Sequence, residues 1–139
     1  MTAERSQIME ATRIIVVGAS AGGLEALTAL IAPLPKDFPA PVFIVQHLAA
    51  DTTGQVLVET LQKSGKLNCK HPWHGERFVP GQIYVALPDH HMLVTKDRII
   101  VSKGARENRS RPGIDPLFRS AAVAYGAKVN WSTPNRLPG

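Results

Sequence analysis

Two unbroken apolar runs in the first third of the chain predict buried parallel strands. Residues 13–17 read Arg-Ile-Ile-Val-Val and residues 41–46 read Pro-Val-Phe-Ile-Val-Gln, and both are rich in β-branched side chains. Between them, four aliphatic residues recur at helical spacing: Leu24, Leu27, Leu30 and Ile31. The order strand, helix, strand predicts a right-handed crossover, which brings the carboxyl ends of both strands to the same edge of one sheet.

The hydropathy pattern predicts two more helices. One is capped by Thr52 or Thr53 and runs to about Lys63. Its apolar side carries Val56, Leu57, Thr60 and Leu61. The other begins at Ile114 or Asp115. Its inner side carries Leu117, Phe118, Ala121, Ala122 and Tyr125.

Between these helices the pattern changes to that of strands. A β-rich insert is predicted, with a strand at 82–87 and a hairpin made of 91–95 and 98–102. Together the elements predict an α/β fold, a doubly wound, mostly parallel sheet with a β-hairpin insert. At 139 residues the chain is expected to form one domain, preceded by a flexible, polar N-terminal lead-in over residues 1–12.

Composition narrows the classes of partner and environment. The formal net charge of +5 favours acidic partners. No apolar run approaches the ~20 residues of a membrane span, so no membrane insertion is predicted. The single cysteine, Cys69, excludes an internal disulfide and fits a reducing cytoplasm. Arg106, Arg109 and Arg111 form the densest basic patch. No aromatic residues are interleaved with them, so no nucleic-acid binding is predicted.

The histidines near Cys69 raise the question of a metal site. Cys69, His71 and His74 offer thiolate and imidazole ligands, and His90 and His91 follow further along the chain. The spacing matches no standard zinc motif, and the Pro-Trp turn need not point His71 and His74 together. The sequence therefore predicts no metal and no cofactor.

A pattern typical of a serine nucleophile follows the first predicted strand. Ser20 stands in a Gly-x-Ser-x-Gly frame at the strand-to-helix turn. Small neighbours there would let a substrate approach: Ala21, Gly22 and Gly23. Free N–H groups at the start of the following helix suit a developing oxyanion. His47 comes directly after the second predicted strand, so it is the candidate general base that a serine nucleophile needs.

The same turn admits other interpretations. In an ordinary βαβ unit the glycines would serve only the turn, and the histidine would follow the strand by coincidence; this interpretation stays open. A dinucleotide-binding turn would need glycine in place of Ser20, and an acidic residue where Gln46 and His47 end the second strand. A phosphate-binding P-loop would need a Gly-Lys-Ser/Thr sequence after the turn, which the sequence lacks. Both nucleotide hypotheses rank below hydrolysis.

Several further segments, in a fixed order along the chain, are similar to those of one family. They are the turn at 18–23, Gln46-His47, and residues 76–86, 88–92 and 108–122. In this combination the sequence resembles the catalytic domain of chemotaxis-type protein-glutamate methylesterases, over about residues 13–129. The combination is much more specific than any one of its pieces.

The resemblance implies a reaction and its partners. The reaction is hydrolysis of γ-glutamyl methyl esters on methyl-accepting chemotaxis receptors in the cytoplasm, with release of methanol. The resemblance implies Ser20 as nucleophile, His47 as base, and backbone N–H groups near Ser20 and Ala21 as oxyanion donors. The family commonly joins this domain to a phosphorylated receiver domain, so a separate response regulator or other signalling protein is a further expected partner.

Residues 130–139 depart from the family pattern. The resemblance leads us to expect, after Val129, an apolar strand, a glycine-rich loop with a triad aspartate, and a final helix. The sequence there is largely polar and contains Pro134 and Pro138, so it predicts no buried strand. We therefore expect an incomplete catalytic domain over 13–129, without the last strand and helix of the family fold, and a divergent tail. Without the aspartate we expect weak activity; the alternative function is a non-catalytic remnant or receptor-binding module.

Three arginines are candidates for substrate binding. Arg109, Arg111 and Arg119 lie beside the start of the last predicted helix, in the segment most similar to the family. A guanidinium there could orient the free carboxylates of a receptor helix. The alternative is that the Arg119 stem packs on the helix surface while the loop arginines stay in water.

Overall fold

The computed structural model describes residues 13–19, 24–46, 54–103 and 114–132. In chain order the elements are β1 Ile14–Ala19, α1 Leu24–Ile31, β2 Val42–Gln46, α2 Gly54–Ser64, β3 Asn68–Lys70, β4 Gln82–Val85, β5 His91–Val94, β6 Ile99–Ser102, α3 Ile114–Tyr125 and β7 Val129–Ser132. A 3₁₀ turn, Gly126–Lys128, joins α3 to β7. Helices alternate with strands as far as α2, and four strands in succession, β3 to β6, then precede α3.

The described strands form one parallel sheet and one hairpin. The sheet has the order β3-β4-β2-β1-β7, and each neighbouring pair runs parallel. The two apolar runs at the start of the chain are adjacent, parallel strands of this sheet, so their predicted parallel pairing is confirmed. The hairpin pairs β5 with β6 in antiparallel register around Lys96 and Asp97, also as predicted. The α/β prediction is therefore confirmed.

Each face of the sheet is covered by its own apolar cluster. On one side, called the α1–α2 face, the cluster includes Val17, Leu27, Ile31, Ile44, Leu57 and Leu61. On the other side, called the hairpin face, it includes Val16, Phe43, Tyr84, Met92, Leu117 and Ala121. Helices on both faces explain why β1 and β2 are apolar without alternation: a strand buried on two sides has no solvent-facing residues.

Two details of the strand prediction are wrong. The strand predicted within an insert, β4, belongs to the main sheet, where it pairs with β2. β3 was not predicted, because Asn68, Cys69 and Lys70 show no apolar run; it is a three-residue edge strand beside β4. Edge strands are short and polar on their open side, which removes the hydropathy signal.

A strand begins at Val129, in the segment for which the sequence predicts no buried strand. Val129–Ser132 forms β7, which runs parallel to β1, from Ile14 opposite Val129 to Val17 opposite Ser132. Pro134 lies beyond the end of this strand, so its missing N–H does not interrupt the ladder. This pairing gives hydrogen-bond partners to the backbone groups on the open side of β1. It does not require apolar side chains, which is why the largely polar sequence of β7 can form a strand.

The buried sides of two helices differ slightly from the prediction. In α2 the buried residues include Leu57, Val58 and Leu61, whereas Val56 is 54% exposed. In α3 the buried residues include Leu117 and Ala121, whereas Ala122 is exposed. In both helices the predicted apolar stripe is about one residue too wide, since aliphatic spacing alone does not fix the angle at which a helix meets the sheet.

Candidate active site

β1 and β2 end in register at the carboxyl edge of the sheet. Ala19, the last residue of β1, is paired with Gln46, the last residue of β2. Ser20 and His47 follow them in the chain. Both candidate residues lie outside the described residues, as does the predicted oxyanion turn, namely Ala21, Gly22 and Gly23. The described strands thus lead into the two candidate segments from adjacent positions at one edge.

The start of α3 covers the end of β1 on the hairpin face. A side-chain carbon added at Gly18 would lie 2.9 Å from Cγ2 of Ile114, the first residue of α3. Non-bonded carbons need about 3.5 Å, so only glycine permits this close approach. The chain therefore enters α3 at the same sheet edge at which β1 and β2 end.

The three candidate arginines fall in different places. Arg109 and Arg111, in the segment before α3, lie outside the described residues. Arg119 is on the exposed side of α3, about 7 Å along the helix axis from Ile114. Arg119 lies in the second turn of α3, beyond the residue at which the helix begins.

The start of α2 packs against the ends of β3 and β4. A side-chain carbon at Gly54 would lie 2.8 Å from Pro88 and 2.9 Å from Nε2 of His71. The other ring nitrogen of His71, Nδ1, lies 2.9 Å from the carbonyl oxygen of Val85. A carbonyl can only accept, so Nδ1 carries the proton and donates it. His71 thus ties the chain after β3 to the end of β4.

Some polar residues that could be taken for catalytic groups have structural roles, in the turn after β4 or at the start of α3. Asp89 has a φ of 64°, a left-handed conformation that aspartate tolerates better than most residues. His90 Nδ1 lies 2.9 Å from the carbonyl oxygen of Pro88 and donates to it. Asp115 is exposed in the first turn of α3, where the positive end of the helix dipole stabilises a carboxylate.

Cysteine and histidine side chains near β3 take structural roles. Burial raises the pKa of the Cys69 thiol to about 11, so the side chain is a neutral thiol at neutral pH. His74 Nδ1 accepts the backbone N–H of Val101 at 3.2 Å. Within the described ranges, no group of three or more histidine, cysteine, aspartate or glutamate residues is arranged to hold a metal ion.

One protein family, curated proteins and a solved structure are similar to this chain. The family model described as CheB methylesterase matches residues 15–130. A protein-glutamate methylesterase/protein-glutamine glutaminase of Maricaulis maris is 42% identical over 121 residues, and one of Nitrosospira multiformis is 43% identical over 118 residues. The crystal structure of the Thermotoga maritima CheB methylesterase catalytic domain is similar, with a TM-score of 0.81 and 33% identity over 87% of this chain.

The chain belongs to the CheB methylesterase family.

The chain matches only part of the length of its CheB-family relatives. The matched regions cover 84% and 82% of this chain but only 30% and 32% of the Maricaulis and Nitrosospira proteins. The match covers 66% of the Thermotoga catalytic domain. The chain therefore spans about a third of the length of the Maricaulis and Nitrosospira relatives. In the described part of this CheB-family chain, no helix is long and apolar enough to cross a membrane.

Gln46 is the unexplained polar residue at this edge of the CheB-family sheet. It is 6% exposed, and its carboxamide oxygen Oε1 has no hydrogen-bond partner among the described residues. A buried acceptor left unsatisfied costs about 1–3 kcal/mol. The sequence analysis used Gln46 only to exclude a ribose-binding acid. Gln46 is the one polar residue of the otherwise apolar β2, and it is the last residue of that strand.

Proposed function

We propose that this CheB-family chain hydrolyses methyl esters of glutamyl side chains in proteins, with Ser20 as nucleophile and His47 as general base. The relatives are named protein-glutamate methylesterases. The observation that carries the proposal is the pairing of Ala19 with Gln46, because each is followed in the chain by one of the two residues. Adjacent parallel strands are about 4.8 Å apart, a separation that a serine hydroxyl and an imidazole can bridge.

Side-chain alternation along the strands supports a common direction for the pair. Ala19 follows Val17 by two positions and shares its side of the strand, the α1–α2 face. Gln46, its register partner, is on that face too. We propose that Ser20 and His47, which follow these register partners in the chain, are neighbours in the same way and face a common side. We take this shared direction as the geometric basis of the pair.

The proposed reaction proceeds through an acyl-enzyme. His47 takes the proton of the Ser20 hydroxyl while Oγ attacks the ester carbonyl carbon. The tetrahedral intermediate collapses, the bond to methoxide breaks, and the imidazolium gives its proton to that oxygen, releasing methanol. Water then attacks the acyl group with His47 as base, and Ser20 leaves with the returned proton. The net reaction consumes one water and yields a glutamate side chain and methanol.

Two further groups complete the proposed site. The turn over Ala21, Gly22 and Gly23 would supply backbone N–H groups to the oxyanion at the start of α1. Arg109 and Arg111 precede α3, which enters at this edge, and would orient the acidic receptor helix that carries the ester. Arg119 is the weaker candidate, since it lies further along α3 on the exposed side.

We assign none of the described aspartates to the pair, and for the 139 residues alone we therefore expect slow turnover. Asp97 is engaged by Arg77 at 3.3 Å, and Asp89 and Asp115 have turn and helix-start roles. In a serine protease, replacing the triad aspartate with asparagine lowers kcat about 10⁴-fold, because the histidine loses its productive tautomer. An unsupported Ser-His pair should still exceed the uncatalysed rate.

Methanol release from a methylated chemotaxis receptor tests the proposal. The 139-residue chain should release methanol, Ser20→Ala and His47→Gln should abolish the release, and Gln62→Leu, a substitution far from this edge, should not. Release of ammonia from receptor glutamines, measured alongside, would show that the amide reaction in the relatives' names is also supported. Receptor binding without any methanol release would refute the proposal and favour a binding module.

A further inference from the structure

We propose that the turn over residues 73–76 presents the Trp73 indole as a docking point for the acidic cytoplasmic helices of a chemotaxis receptor. The identity of this partner rests on the proposed function. Trp73 is 64% exposed, although tryptophan is on average a highly buried residue in folded proteins. The turn follows the edge strand β3, so β4 lies between this surface and the two strands, β2 and β1, that lead into the proposed catalytic residues.

A closed set of hydrogen bonds fixes the shape of this turn. The Glu76 N–H donates to the Trp73 carbonyl at 3.1 Å, and Gly75 has a φ of 85°, which glycine adopts without strain at the third position of a turn. The Glu76 carboxylate folds back, so that Oε1 accepts the Trp73 N–H at 3.1 Å and Oε2 accepts from Nζ of Lys70 at 2.6 Å. Glu76 is 7% exposed, and charge-assisted bonds that are shielded from water hold their geometry strongly.

The hairpin gives the turn a rigid base. The Gly75 N–H donates to the Ile99 carbonyl at 2.7 Å, and the Ile99 N–H donates to the Glu76 carbonyl at 2.8 Å. Because Ile99 is fully buried at the start of β6, this exchange anchors the turn to the core on the hairpin face. Arg98, one residue earlier, donates from its guanidinium to the Gly75 carbonyl at 3.1 Å, which places a cation beside the turn.

Lys70 sets the orientation of the Trp73 ring before any partner binds. Its ammonium group lies 3.6 Å from the ring centroid, within the range of a cation–π contact, while it is also paired with Glu76. The contact covers one face of the ring and leaves most of the residue in water. A large aromatic side chain whose rotamer is already fixed loses little entropy on binding, as expected of an anchor residue in a protein interface.

The charges around the turn favour an acidic protein as the partner. Residues 70–77 and 96–98 together contain four lysine or arginine side chains and two carboxylates. Both carboxylates are already engaged in ion pairs with side chains of the same two segments, at 2.6 and 3.3 Å. No carboxylate among the described residues pairs with Arg98. A receptor helix with free glutamates would give one carboxylate to Arg98 and lay an apolar side chain on Trp73.

Single-stranded nucleic acid fits this surface less well. Proteins hold it on several aromatic side chains, on which successive bases stack. Trp73 is a single ring with one face already covered by Lys70. One tryptophan beside one arginine matches instead the pattern of protein interfaces, in which a few such residues carry most of the binding energy.

Tryptophan fluorescence tests the docking point directly. The chain has two tryptophans, so Trp131→Phe leaves Trp73 as the single reporter. Titration of that variant with the purified cytoplasmic fragment of a methyl-accepting chemotaxis receptor should shift the emission to shorter wavelength, because the indole loses contact with water. The same titration of Trp73→Phe, in which Trp131 is the reporter, should give no shift.

Calorimetric titration of variants of the full chain with the same fragment measures what each side chain contributes to affinity. Trp73→Ala should weaken binding about tenfold or more, and Arg98→Ala about threefold with a smaller dependence on salt. Val123→Ala is the matched control, because it truncates an apolar residue that is 89% exposed on α3 and should leave the affinity unchanged. None of the three variants should change hydrolysis of a small methyl ester.

An emission that does not shift, or a Trp73→Ala affinity equal to that of the parent chain, would overturn the docking point. A shift produced by raising the protein concentration alone would assign the surface to a second copy of the chain, and an equal shift with a single-stranded oligonucleotide would assign it to nucleic acid; either would overturn the proposal. Binding is scored without turnover. A chain that binds through Trp73 and releases no methanol would refute the proposed function alone, whereas methanol release with binding that does not depend on Trp73 would refute the docking point alone.

Discussion

Ala19 and Gln46 are register partners at the ends of two adjacent parallel strands. Five consecutive pairs, from Ile15 with Val42 to Ala19 with Gln46, fix this alignment. The alignment is specific because a slip of one residue would turn the apolar residues of β2 from one cluster to the other. The chain therefore leaves both strands at one level, and the proposed nucleophile and base follow from that common level.

The close approach of α3 to β1 makes Gly18 sensitive to substitution. Gly18→Ala would place its methyl group within 3.3 Å of three Ile114 carbons, so we expect a loss of about 1–3 kcal/mol in the free energy of unfolding. Urea unfolding of Gly18→Ala, Ile114→Ala and the double variant checks this cause. The Gly18→Ala cost should shrink by about 1 kcal/mol in the Ile114→Ala background. An equal cost in both backgrounds would contradict the contact.

Two buried acidic groups predict a loss of stability at alkaline pH. Burial raises the pKa of Cys69 from 9.0 to about 11. Burial, with a smaller contribution from the charge of Glu76, raises the pKa of Tyr84 from 10.0 to about 12, against the lowering effect of the Val79 N–H that it accepts. The unfolded chain releases these protons first, so the stability that the two neutral groups contribute is fully present below about pH 9 and is lost as pH rises toward 12.

The urea midpoint measured between pH 8 and 12 checks this dependence. Cys69→Ala should flatten the decline between about pH 9 and 11, and Tyr84→Phe the decline between about pH 10 and 12. Each group contributes at most ~1.4 kcal/mol per pH unit within its window. If both variants lose stability as steeply as the parent chain, other groups cause the decline.

Asparagine in place of Asp89 or Asp115 should change ester hydrolysis less than twofold. Asparagine also tolerates the φ of 64° found at Asp89. At Asp115 only a surface interaction with the start of α3 is lost, about 0.3–1 kcal/mol of stability. Methanol release by each variant is the measurement. Loss of most activity in Asp89→Asn would mean that this aspartate supports His47, and that the site has an acid we did not assign.

Arg109→Ala and Arg111→Ala should weaken receptor binding without slowing hydrolysis of a small uncharged methyl ester. Receptor affinity should also fall as salt rises, because exposed charges are screened within ~10 Å at moderate ionic strength. Lys128→Ala is the control, since it removes one positive charge at the opposite end of α3. Equal losses on both substrates would indicate a role in folding or in shaping the cleft, and the docking role would be abandoned.

The sequence predicts the elements that carry strong apolar periodicity. β1, β2, the hairpin and the three helices were all found this way, because each buries a run or stripe long enough to stand out. β3 and β7 were missed. Their residues are mostly polar, and they exist because β4 and β1 offer open backbone groups to pair with, which is a property of the assembled sheet and not of the segments.

The candidate site was predicted in part for the same reason. The positions directly after β1 and β2 follow from the strand pattern, which drew attention to Ser20 and His47. The packing of His71 and Pro88 against the start of α2 could not be predicted, because it depends on where the two strands β3 and β4 end relative to a helix. Nor does a strand-end glutamine reveal from sequence alone that its oxygen is buried and unsatisfied.

Labelling of the chain by a fluorophosphonate, with the modified residue located by mass spectrometry, tests the central claim most directly. A serine activated by a neighbouring base reacts with this probe, whereas an ordinary hydroxyl does not. The account predicts one modified residue, Ser20, with labelling lost in Ser20→Ala and strongly slowed in His47→Gln. No labelling of the folded parent chain, or labelling of Ser20 that is unchanged in His47→Gln, would contradict the account.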